Sequence, residues 1–86
     1  MIRVLLVDDQ QLVRTGFRLV LSTAPDIEVV GEAANGNEAL ELLESGLEVD
    51  VCCMDIRMPH MNGLEATRAI TAAGYATRVI ALTLSL

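Results

Sequence analysis

Two hydrophobic rhythms alternate along the chain. Residues Ile2 to Val7 (IRVLLV) form an apolar run closed by Asp8 and Asp9. Such a run predicts a strand buried on both faces of a parallel sheet, here ending in two carboxylates. Leu12, Val13, Phe17, Val20 and Leu21 then recur at helical spacing, with Arg14 and Arg18 on the opposite, wet face. That is the pattern of an amphipathic helix, and Pro25 and Asp26 close it with a turn. Ile27 to Val30, running on into Gly31, Glu32 and Ala33, predicts a second and less buried strand.

The alternation continues. Asn35 followed by Glu38 has the form of a helix cap with its reciprocal partner. Ala39, Leu40 and Leu43 give the helix an apolar stripe, and Gly46 stops it. Val51 to Met54, within the stretch VDVCCMDIRMP, predicts a third buried strand that runs into Asp55 and must end before Pro59. Asn62 to Glu65 repeats the cap pattern, and Leu64, Thr67, Ile70 and Ala73 line a helix ending at Gly74. Arg78 to Leu86 (RVIALTLSL) predicts a fourth strand with period-two alternation.

Strands alternating with helices at this spacing imply βαβ units, right-handed crossovers and a parallel sheet. All carboxyl ends of a parallel sheet lie along one edge, so Asp8, Asp9, Asp55 and the neighbourhood of Thr83 are expected to converge. With the order 2-1-3-4, the strand order reverses between strands 1 and 3, which carry the acids, and open α/β sheets bind ligands at that reversal.

Composition narrows the function. The chain has 86 residues, enough for one small domain over 1–86. No apolar run approaches the ~20 residues of a membrane span. Its start, one basic residue and then an acidic pair with no small-residue cleavage site, does not read as a signal peptide. The net charge of −6 repels phosphate backbones and argues against nucleic acid as a direct partner. Cys52 and Cys53 are strand neighbours that point to opposite faces, which favours packing in a reducing cytoplasm over a mutual disulfide.

Clustered carboxylates repel one another unless a cation neutralises them. Oxygen donors without histidine or thiolate suit Mg²⁺, which retains waters and bridges to phosphate oxygens. A carboxylate beside such an ion can act as a nucleophile and take up a phosphoryl group. The bland alternative is that these acids are ordinary helix caps. His60, in a loop, reads as solvated, and Met54, Met58 and Met61 read as packing.

VLLVDD, DIRMPHMNG and VIALT, in that order and spacing, resemble the receiver domain of two-component response regulators, and LVRTGFRLVL with EVVGEAANGNEAL resembles its NarL/LuxR-type branch. The resemblance implies a flavodoxin-like three-layer sandwich. It implies Asp55 as phosphoacceptor, with Asp8, Asp9, Asp55 and the backbone carbonyl of Arg57 holding Mg²⁺. Thr83 would be the switch hydroxyl, and Pro59 and Gly63 would shape the pocket rim. It further implies a histidine kinase as donor, no independent substrate turnover, and DNA contact only through a C-terminal domain that this sequence does not contain.

The sequence also departs from that pattern. It contains no lysine, whereas receivers carry one on a fifth strand that pairs with the phosphoryl oxygens. The resemblance therefore implies a C-terminally truncated receiver, lacking the fifth strand and last helices. The alternating tail suggests an exposed apolar edge on strand 4 and self-association by edge pairing or element exchange. Two rivals follow: a phosphorylation-silent dimerisation or interaction module, and an aspartyl-nucleophile phosphohydrolase. The latter usually carries a second aspartate two residues after the first, where this chain has Arg57.

Overall fold

A computed structural model of the protein describes residues 1–55 and 63–82. Four strands, β1 (Ile2–Val7), β2 (Ile27–Ala33), β3 (Val51–Asp55) and β4 (Arg78–Leu82), alternate with three helices, α1 (Gln11–Leu21), α2 (Gly36–Glu44) and α3 (Gly63–Ala72). The strands form one parallel sheet in the order β2-β1-β3-β4, as the alternation predicts. This is the flavodoxin-like arrangement, with α2 and α3 on one face and α1 on the other.

The α2–α3 face is closed. Leu5 and Val7 of β1, Cys52 and Met54 of β3, Ala39 and Leu43 of α2, and Ala66 and Ile70 of α3 form one buried cluster. Gly31 of β2 lies against this cluster because a side chain there would press on Leu5 and Leu47, at 3.2 and 3.3 Å. At the amino edge of the sheet the N–H groups of Asp50 and Arg78 bond the carbonyls of Arg3 and Asp50, at 2.9 and 3.0 Å. These bonds tie β1, β3 and β4 together where the strands begin.

The helix ends follow their sequence signals. Asn35 Oδ1 accepts from the Glu38 N–H at 2.9 Å, satisfying a free donor of the first turn of α2. Glu38 reaches back as expected, but to the N–H of Ala34 at 3.2 Å rather than that of Asn35. Gly46 and Gly74 follow α2 and α3 at φ of 97° and 80°, the left-handed region that glycine enters without strain.

Three expectations need correction. β3 is not buried on both faces: Cys52 and Met54 are sealed, while Val51, Cys53 and Asp55 are half-buried. The stripe of α1 forms a helix but none of its residues is fully buried, and Leu12 and Val20 are 84% and 67% exposed. Spacing specifies the helix; burial depends on what covers it, and among the described residues no second helix lies beside α1. In α3 the buried positions are Ala66 and Ile70, four apart, while Leu64 is exposed. A row of steps of three falls short of a full turn by about 60° each time, so it winds off the face that a step of four stays closer to.

The expectation that strand 4 is an edge holds for the described residues, and Ile80 there is half exposed. Its predicted continuation through Thr83 to Leu86 lies outside the described residues, as do the Asn62 cap, Pro59, His60, Met58 and Met61. No helix among the described residues is long and apolar enough to cross a membrane.

Candidate functional site

The sheet register builds the site. Val7 of β1 pairs with Met54 of β3, so the next residues, Asp8 and Asp55, leave adjacent strands side by side. Asp55 in turn pairs with Leu82 of β4. Asp8, Asp9 and Asp55 each offer a carboxylate oxygen, and these oxygens lie within 4.8 Å of one another. Asp8 is buried, Asp55 half-buried and Asp9 exposed. The three acids named from the sequence are thus brought together at the carboxyl edge, where the strand order reverses.

Asp8 is held through both its backbone and its side chain. Its N–H donates to the Ala33 carbonyl at the end of β2, at 3.1 Å. Its Oδ1 accepts from the Gln10 N–H at 2.8 Å, a local turn that starts α1 where Gln10 supplies no side-chain cap. Burial pushes the Asp8 carboxyl above its usual range, the charges of Asp55 and Asp9 add to this, and the Gln10 N–H opposes it. Three acids gathered this closely, one with its charged form disfavoured, are a donor set that fits a hard divalent cation.

Arg14 and Glu32, both assigned surface roles from the sequence, connect to this edge. Arg14 was expected on the wet face of α1, yet its side chain is only 15% exposed. Its guanidinium donates from Nη1 to the Asp8 carbonyl and from Nε to Glu32 Oε1, the latter at 3.0 Å. Arg18, one turn on, donates from Nε to Glu32 Oε2 at 2.8 Å. Burial alone would raise the Glu32 pKa, but the hydrogen bonds and charges of Arg18 and Arg14 outweigh it and hold the carboxyl below the usual range.

A signal for this network was present in the sequence. Strand alternation places Glu32 on the face opposite the core residue Ala33, towards α1, and arginines four apart on that helix can reach one carboxylate.

Of the other site residues, Gly63 opens α3, and Thr83 and Arg57 lie outside the described residues. The cysteines behave as packing residues. Cys52 is fully buried, its thiol pushed up to about 12 by burial and by Cys53, and Cys53 faces the α1 side and is also raised by burial. Both are free, as expected from their opposed directions.

Comparison with known proteins agrees with the geometry. Residues 4–85 match the response regulator receiver domain family. The nitrate/nitrite response regulator protein NarL of Escherichia coli strain K12 is 43% identical over 82 residues, covering 95% of this chain and 38% of NarL. The transcriptional regulatory protein LiaR of Bacillus subtilis is 46% identical over 83 residues, covering 96% of this chain and 39% of LiaR. The chain thus spans well under half the length of these curated relatives. Among solved structures, the signal receiver domain of a Mycobacterium tuberculosis NarL superposes with a TM-score of 0.89 at 38% identity, over 99% of this chain and 68% of that one. The response regulator domain of Thermotoga maritima CheB gives 0.88 at 42% identity, over 96% of this chain and 60% of that one. With the acids converging where the parallel sheet reverses, and with these relatives, the chain belongs to the response regulator receiver domain family, in its NarL/LuxR-type branch.

Proposed function

We propose that Asp55 accepts a phosphoryl group from a phosphohistidine of a sensor histidine kinase. The observation that carries this is the set of carboxylate oxygens of Asp8, Asp9 and Asp55 within 4.8 Å of one another, at the carboxyl ends of adjacent strands. Asp8, Asp9 and Asp55, with the backbone carbonyl of Arg57, would hold Mg²⁺. The bound ion supplies neutralising charge to an edge that would otherwise repel an incoming phosphate. An Asp55 carboxylate oxygen attacks phosphorus, a P–O bond forms and the P–N bond to the imidazole breaks. The bond's electron pair returns to that ring nitrogen. The Thr83 hydroxyl would bond the phosphoryl oxygens.

The signal would pass to transcription through a DNA-binding domain of a longer parent protein, an inference drawn from LiaR being a transcriptional regulatory protein.

Incubation with a small acyl phosphate and Mg²⁺, followed at once by intact-protein mass spectrometry, tests the reading. A mass increase of one phosphoryl group is expected, abolished by Asp55→Asn and by chelation of the cation. No adduct at any time on folded protein contradicts it.

A second reading, of an association module that takes no phosphoryl group, draws on β4 being an edge among the described residues and on the half-exposed Ile80. Self-association through that edge is compatible with either reading. Light scattering over micromolar concentrations separates them when combined with the mass measurement: oligomers without an adduct favour the second.

A further inference from the structure

We propose that Arg14, held by Glu32, is the positioning residue of the acidic edge: it fixes the turn after β1 so that Asp8 keeps its place beside Asp55. The observation is a closed ring of contacts between elements. The Asp8 N–H donates to the Ala33 carbonyl. The Asp8 carbonyl accepts from Arg14, Arg14 donates onward to Glu32, and Glu32 is the chain neighbour of Ala33. Both backbone polar groups of Asp8 are thereby tied to the end of β2, one directly and one through α1. Arg14 also lines the same small pocket as Asp8, Asp55 and Phe17, beneath the edge on the α1 side.

The chemistry favours arginine here. Its planar fork can give Nη1 to a carbonyl and Nε to a carboxylate at once, whereas a lysine ammonium on a flexible stem has no such preset geometry. The Glu32 side chain, 29% exposed, is held from its other oxygen by Arg18, so the clamp is itself fixed. Supporting groups of this kind, which orient ligands without touching the metal, commonly change metal affinity about 10- to 100-fold when removed.

This inference rests on the cation reading above, and the sign of one effect separates positioning from simple proximity. A positive charge near a cation site weakens binding, so deleting Arg14 would tighten binding if charge were its only contribution. If Arg14 positions Asp8, deleting it loosens binding despite the lost repulsion.

The test is titration with Mn²⁺ alone, read as free Mn²⁺ by electron paramagnetic resonance, on chains whose folding is checked by circular dichroism at the same temperature. Arg14→Ala is expected to weaken Mn²⁺ binding about tenfold or more, and Arg14→Lys, which keeps the repelling charge but not the fork, to weaken it at least as much. Glu32→Gln should weaken it in the same direction. Arg18→Ala, which frees one oxygen of Glu32 but removes no bond to Asp8, should weaken binding less than Arg14→Ala does while still lowering the unfolding midpoint. A purely structural role would make affinity follow the midpoint across all four variants. Should Arg14→Ala fail to fold, Arg14→Lys carries the test, because it conserves the charge and any loss of affinity there is one of positioning. Unchanged or tighter binding in folded Arg14 variants overturns the inference and leaves the cation reading standing. Absence of Mn²⁺ binding by the folded parent chain overturns both.

Discussion

The two faces of the sheet are built on different terms. Towards α2 and α3 lie Leu5, Val7, Cys52, Met54, Ala66 and Ile70, all 2% exposed or less. Towards α1, among the described residues, only Val4 and Leu6 are comparably sealed; Val51, Cys53 and Leu82 are half-buried and Ile80 is 50% exposed. The charged network sits on this second face, where Arg14 and Arg18 meet Glu32. One face carries the hydrophobic stabilisation of the fold. The other leaves room for the polar connections that reach Asp8. In a chain of 86 residues, where a core is marginal, this division lets the acids be assembled without opening the core itself.

The largest expected effect separates the faces by stability. Ile70→Ala, at a site 1% exposed, should cost ~2–5 kcal/mol in urea unfolding, enough to abolish the folded baseline of a small domain. Ile80→Ala, half exposed on the α1 side, should cost about 1 kcal/mol or less. Equal losses would mean that the faces are equivalent and the comparison is wrong.

Chemical access gives the next contrast. Cys53, half-buried on the α1 side, should react with a maleimide at least about tenfold faster than Cys52, whose burial disfavours the thiolate more strongly. Peptide mapping of partly labelled protein reads the ratio, and preferential labelling of Cys52 would reverse the assignment of faces.

The smallest effect concerns the charge network. The Glu32 carboxyl is held below its ordinary value of 4.5, so its contribution to stability is present above that value and is lost as the pH falls through the lowered one. For a pair this close to solvent the contribution should be under about 1 kcal/mol. Urea midpoints of the parent and Glu32→Gln should therefore differ at neutral pH and converge in acid. A gap that widens as the pH falls would show that the network does not act as an ion pair.

Much of this arrangement was legible in the residues. Apolar runs closed by Asp8 and Asp55, joined by helical spacing, imply parallel strands, and parallel strands bring their carboxyl ends to one edge without any side-chain detail. That is why the acidic site could be named in advance. The stripes of α1 and α3 were legible only as helices. Which positions are buried depends on the partner surface, and Leu12, Val20 and Leu64 are exposed despite their spacing. Arg14 was misread because a charge on a helix was assigned to solvent, when Glu32 on β2 gave it a reason to turn inward. Rhythm reports a residue's place on its own element; a polar partner on another element is found only by setting the two rhythms side by side.

Trapping the phosphorylated residue tests the proposed role of Asp55 most directly. Reduction with borohydride immediately after treatment with acyl phosphate and Mg²⁺ converts a phosphorylated aspartate to homoserine, and peptide mass mapping locates the change. Homoserine is expected at position 55 alone, and is lost when the cation is chelated. Homoserine at position 8 or 9, or a folded protein with no trapped residue, would contradict it.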